Sequence, residues 1–190
     1  MFARTKIHTV LAAAALLAFT AMTPNAFAGV GHADGDKHGH SSGLPMGAPG
    51  ETADVDRTIE IIMYDNYYEP EDLDVTPGET IRFVLKNAGE FVHEFNIGTA
   101  EMHVAHGPEM MMMMEHGVLE ADRINWEAAE AMQKSMGHGM HKEANSVLLE
   151  PGESGELVWK FARTDNLEFA CNVPGHYDSG MMGEIKFKSQ

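Results

Sequence analysis

Cys171-Asn172-Val173-Pro174-Gly175-His176, with Met181 five residues further on, sets a thiolate, an imidazole and a thioether within eleven residues, near the end of a 190-residue chain. Leu167–Cys171 before it and Gly183–Lys188 after it read as short β-runs, so the stretch joins the end of one strand to the start of the next. A loop anchored in this way can aim all three side chains at one point. A second imidazole must come from elsewhere, and His93, inside the apolar run Phe91-Val92-His93-Glu94-Phe95, is the candidate.

Further short runs lie upstream. Arg57–Tyr64 and Asp72–Val75 are β-like, and Thr76-Pro77-Gly78-Glu79 is a turn. Thr80–Lys86 alternates Ile81, Phe83 and Leu85 with Arg82, Val84 and Lys86, which predicts a strand with one face inward. Phe91–Ile97, Ser146–Glu150 and Gly155–Phe161 add three more, with a turn at Pro151-Gly152-Glu153. Seven to eight short strands with turn chemistry between them predict an all-β antiparallel sandwich or barrel.

Residues 99–145 interrupt that pattern and read as an insertion. Leu119–Ser135 is Ala- and Glu-rich with Leu119, Ile124, Trp126 and Met132 as buried positions, which predicts a helix ended by Gly137 and Gly139. The insertion also holds Met102, Met110, Met111, Met112, Met113, Met114, Met132, Met136 and Met140, with His103, His106, His116, His138 and His141. Five consecutive methionines fit neither the helical nor the strand period as core, so some are expected to be exposed. Exposed thioethers are soft ligands that select Cu(I) over Zn(II) or Mg(II), which makes these residues candidate auxiliary copper ligands.

The first residues resemble an export signal: Arg4 and Lys6, an apolar run Val10–Phe19, then Ala26-Phe27-Ala28 as a cleavage site. Residues 1–28 are therefore read as a signal peptide and 29–54 as a flexible arm rich in Gly and His, with His32, His38 and His40. Residues 55–190 are read as one domain carrying the insertion. No membrane span is expected in the mature chain. The net charge of −16 argues against nucleic acid, which needs a positive surface, and suits cations or a basic protein partner. Cys171 is the only cysteine, so no internal disulfide forms. In an exported protein, a lone cysteine points to a reactive thiol, an intermolecular bridge or a metal thiolate.

Two imidazoles and one thiolate form a trigonal donor set that tolerates both Cu(I) and Cu(II), with a weak axial thioether tuning the potential. Zinc fits less well, since structural zinc sites favour four strong His or Cys ligands. The expected metal set is His93, Cys171, His176 and Met181, holding one copper, with further Cu(I) on the insertion.

The Cys-x-x-Pro-Gly-His-x-x-x-x-Met loop resembles that of auracyanin and related blue copper proteins, and His93 matches the first ligand of the cupredoxin family. That resemblance covers roughly residues 57–98 and 146–190. It implies a Greek-key cupredoxin β-sandwich with a type 1 copper at one end, and a backbone N–H on Glu94 that bonds the thiolate. Family spacing favours Met181 over the adjacent Met182 as axial ligand. With signal, His-bearing arm and Met/His-rich insertion, the chain is similar to periplasmic copper-tolerance cupredoxins of the CopI type. The resemblance implies copper tolerance by sequestering, relaying or redox-cycling copper in the periplasm. The alternative is a soluble one-electron carrier between redox partners. Copper ions are the expected partners, with a copper-transport or redox protein such as a c-type cytochrome or a multicopper oxidase. No enzyme is expected: multicopper oxidases and copper nitrite reductases need several copper centres, and this chain has one domain and one cysteine; Cu(I) oxidation stays open. Pro174 lacks an N–H and so removes one donor near the sulfur. Pro174→Ala is expected to change the midpoint potential of the copper-loaded protein, measured by redox titration; an unchanged value counts against this role.

Overall fold

Alternation along one strand sets the orientation of the first sheet. Ile81, Phe83 and Leu85 are wholly buried while Arg82, Val84 and Lys86 face outward. The computed structural model describes residues 44–137, 140 and 143–189. The expected signal peptide, the arm through residue 43 with His32, His38 and His40, and His138 and His141 lie outside the described residues.

Among the described residues, ten strands form two five-stranded sheets. The first contains β1 (Gly47–Pro49), β2 (Arg57–Tyr64), β3 (Tyr67–Glu69), β5 (Thr80–Asn87) and β8 (Ser154–Phe161), in the order β1-β8-β5-β2-β3. The second contains β4 (Leu73–Val75), β6 (His93–Thr99), β7 (Ser146–Leu149), β9 (Leu167–Ala170) and β10 (Met182–Phe187), in the order β4-β10-β9-β6-β7. The expected all-antiparallel pairing is corrected here: β2 runs parallel to β5 and β4 parallel to β10. The chain leaves the first sheet through β4 before returning as β5, and such a crossover brings a strand back in the same direction. Facing aromatic rings join the sheets: Phe83 lies 5.2 Å from Phe95, and Tyr68 lies 5.0 Å from Phe169, centroid to centroid.

From Leu44 onward, the arm expected over 29–54 is part of the fold. Gly47–Pro49 pairs with β8, and the buried Met46 carbonyl accepts the Trp159 indole N–H at 3.4 Å. A buried indole needs an acceptor, and this segment supplies it.

The insertion holds two helices, α1 (Ala100–Glu115) and α2 (Trp126–Met136). The helix expected over 119–135 begins at Trp126 instead. Asn125 caps it by accepting from the Ala128 N–H at 3.0 Å, and Leu119–Ile124 forms a tight bridged loop ahead of it. The sequence signals gave no helix at α1, because Gly107-Pro108 reads as a breaker; Pro108 lies inside the helix all the same. Helix α1 lies against β6 and β9. That cover explains why β6 and β9 are buried along nearly their whole length, with no solvent-facing side.

A methyl on Gly183 would sit 2.0 Å from the Glu71 carbonyl oxygen and 2.3 Å from the Phe169 ring. Gly183→Ala is therefore expected to cost about 2 kcal/mol or more in urea denaturation; a wild-type midpoint would contradict this close approach.

Candidate metal centre

Strand pairing brings the donors together. β6 and β9 are antiparallel neighbours with Asn96 opposite Ala170, so His93 at the start of β6 and Cys171 just past β9 share one end of the sheet. The following loop folds back on itself. The Met181 N–H donates to the His176 carbonyl at 3.0 Å, and the Met181 carbonyl accepts from the Cys171 N–H at 3.1 Å. Donor atoms of His93, Cys171 and His176 all lie within 4.8 Å of one another, a grouping of three metal-ligating side chains found nowhere else among the described residues. Cys171 Sγ is 3.3 Å from His176 Nδ1 and 3.9 Å from His93 Nδ1. Met181 is wholly buried beside them, whereas Met182 is half-buried and pairs with Ala170 in β10.

The surroundings set the state of each donor. His93 Nε2 is 3.0 Å from Asp65 Oδ1, so Nε2 carries the hydrogen and the Nδ1 lone pair faces the sulfur. A side chain at Gly89 would collide with both groups, at 2.3 Å from Asp65 Oδ1 and 2.7 Å from His93 Nε2, so that contact needs glycine there. Burial alone would raise the Asp65 carboxyl, but His93 and the Glu90 and Phe91 amides hold it below its ordinary value. Burial lowers His93 against the pull of Asp65. Burial, reinforced by His93, takes His176 down to about 4. Burial pushes the Cys171 thiol up to about 12, although it accepts the Glu94 N–H at 3.3 Å. Two imidazoles kept neutral and a thiol that ionises only beside a cation fit a soft metal ion.

The outer side of β6 carries a second polar layer. Glu94 has no exposed surface. Its carboxylate accepts from the Asn172 N–H at 3.2 Å, the Asn172 side-chain amide at 2.8 Å, the Asn96 amide at 3.3 Å and the Ser146 hydroxyl. Tyr68 donates its hydroxyl to the Glu94 carbonyl at 2.6 Å. The Glu94 N–H expected at the sulfur is found there, whereas sequence reading assigned no role to Asp65, Asn172 or the Glu94 carboxylate. A single acid inside the apolar run Phe91–Ile97 was the available signal for Glu94; Asp65, 28 residues before its partner, offers none locally.

The candidate auxiliary residues are spread apart. Met110, Met113 and Met132 enter the core, and Met102, Met112 and Met140 lie partly buried against it. His103 and His106 face the polar layer, while Met111, Met114, Met136 and His116 are exposed.

Residues 55–188 match the family described as copper binding proteins of the plastocyanin/azurin type. The chain is 44% identical over 153 residues to the copper-resistant cuproprotein CopI of Pseudomonas aeruginosa, covering 75% of this chain and 82% of that one. It is 35% identical over 176 residues to the protein of the same name from Rubrivivax gelatinosus, covering 92% of each. Among solved structures, auracyanin B shares the fold at a TM-score of 0.50 and 17% identity, covering 77% of this chain and 97% of that one.

Charge compensation beneath α1 leaves a signature in stability. His106 Nε2 lies 3.7 Å from Glu94 Oε1, and its Nδ1 lies 3.3 Å from Glu109 Oε2. Burial alone would lower His106, but Glu94 first, then Glu143 and Glu109, hold it up at about 9. Burial alone would raise Glu94, but His106, Ser146 and Asn172 hold it at about 2. A base whose folded value lies above its ordinary 6.5 stabilises fully below 6.5 and loses that contribution as pH climbs towards 9. The metal-free protein is expected to unfold more easily at pH 9 than at pH 6.5, and His106→Gln to remove most of that difference. Equal pH dependence in both proteins, measured by denaturant titration, would refute it.

Proposed function

The chain belongs to the plastocyanin/azurin family of copper-binding proteins, and from this we propose that it holds one type 1 copper at His93, Cys171, His176 and Met181 and acts in periplasmic copper tolerance. The observation that carries the ligand assignment is the convergence of the two Nδ1 atoms on the Cys171 sulfur, with the Glu94 N–H on the same atom. Copper, when bound there, supplies one-electron Cu(I)/Cu(II) chemistry. The chain fixes the donors in advance: Asp65 orients the His93 ring, the Glu94 amide points at the sulfur, and the Met181 backbone closes the loop across Cys171 and His176. A site assembled before the metal arrives needs little rearrangement to serve both oxidation states.

Two relatives named as copper-resistant cuproproteins, each aligned over at least three quarters of this chain, support tolerance over the electron-carrier alternative. Export fits that role: residues 1–28 have the pattern of a cleaved signal, and no helix among the described residues is long and apolar enough to cross a membrane. The exposed thioethers Met111, Met114 and Met136 are the part of the insertion that can collect Cu(I) from solution.

Two measurements test this reading. The mature protein loaded with Cu(II) is expected to show an intense thiolate-to-copper band that Cys171→Ser abolishes. A band surviving that substitution, or a colourless wild type, rules out the ligand set. Replacing Met111, Met114 and Met136 together with alanine is expected to lower Cu(I) stoichiometry or copper tolerance while leaving the band intact; unchanged values remove the insertion's role in collecting copper. Point variants are preferable to deleting the segment, because α1 covers β6 and β9.

A further inference from the structure

The residues that immediately follow His93 and Cys171 are linked to each other through a buried carboxylate. Glu94 accepts from both the main-chain and side-chain nitrogens of Asn172, and in return the Glu94 N–H donates to the Cys171 sulfur. The backbone of β6 and the start of the ligand loop thus close a ring of hydrogen bonds around the thiol. The Glu94 carboxylate and the Asn172 amide put one side of this ring on the outer face of the second sheet. Here it meets α1. His103 and His106, one helical turn apart, reach the two members of the ring separately. His103 Nδ1 lies 3.1 Å from Asn172 Oδ1, and His106 Nε2 lies 3.7 Å from Glu94 Oε1. The His103 ring is held against Tyr177 at 5.6 Å between centroids, and Tyr177 in turn donates to Glu168. Neither histidine is near enough to the sulfur to be grouped with the metal donors.

We propose that His103 and His106 are positioning residues for the copper centre: from α1 they brace Asn172 and Glu94, and through them fix the sulfur and the amide that bonds it. This inference rests on the ligand set proposed above. It gives the insertion a task separate from collecting copper. The two histidines serve the metal without touching it, and the methionines of the same helix remain free to meet solvent or the core. Losing either brace loosens the ring at one member, so the sulfur gains freedom and its covalency with copper changes.

The test uses the full mature chain in two states. In the metal-free protein, the rate at which a small aromatic disulfide labels Cys171 reports how often the ring opens. His103→Ala and His106→Ala are each expected to raise that rate about fivefold, as the loss of one buried polar contact implies. In the Cu(II)-loaded protein, the same variants are expected to shift the energy or relative intensity of the thiolate-to-copper bands with copper stoichiometry retained. Val104→Ala, on an exposed α1 position, is the control and should match wild type in both readouts. His103→Gln keeps a donor towards Asn172 and should restore most of the wild-type behaviour. If His106→Ala does not fold, His106→Leu, which keeps the bulk and has no donor, takes its place. Wild-type labelling and wild-type bands in the histidine variants overturn the proposal, as does an equal change in Val104→Ala. A wild type without a thiolate band defeats the ligand assignment instead, and the labelling rates still decide whether α1 braces the ring.

Discussion

A carboxylate with no exposed surface is the constraint around which this protein is arranged. An unpaired buried charge costs several kcal/mol, so Glu94 is tolerable only with every neighbour in place. Those neighbours come from four separate parts of the chain: Asn96 on its own strand, Ser146 on β7, Asn172 in the ligand loop and His106 on α1. One side chain therefore ties the start of β6, the loop after Cys171 and the inserted helix into a single unit. His93 and Cys171, the proposed metal donors, are adjacent in sequence to two members of that unit.

Burial is graded across the centre. His93, Cys171 and Met181 are wholly buried, whereas His176 keeps some exposure at the protein surface beside Phe91. His93 and Cys171 are held from behind by Asp65 and the Glu94 amide; the outer imidazole rests on its own loop and against the His93 and Phe91 rings. This leaves one edge of the site near solvent while the sulfur stays dry. The dry sulfur meets the backbone N–H groups of Glu94 and Val173 in place of water.

Some of this was legible in the sequence, and the reasons are local. β2 and β5 were readable because turns bound them and, in β5, a solvated face leaves alternation. The burial of β6 and β9 on both sides was not, because the cover comes from a helix that follows β6 and has no amphipathic signature of its own. β1 and β3 are three residues long, too short to show a period. α1 was hidden by Gly107-Pro108, and the start of α2 was misplaced because Asn125 decides it by a single side-chain bond. At the centre, Cys171 and His176 were visible through their spacing in one loop. Asp65 and the polar layer under α1 depend on contacts between distant parts of the chain, which spacing does not encode.

The run Met110–Met114 grades its sulfurs: Met110 and Met113 are sealed in the core, Met112 is half-buried against it, and Met111 and Met114 are open to solvent. Peroxide reaches the outer pair first and turns each thioether into a sulfoxide, a polar group that is a poorer ligand for soft ions. The inner pair, out of reach, keeps the helix seated. Oxidative damage on this helix is therefore confined to its outer face, and the protein keeps its shape while that face loses its chemistry.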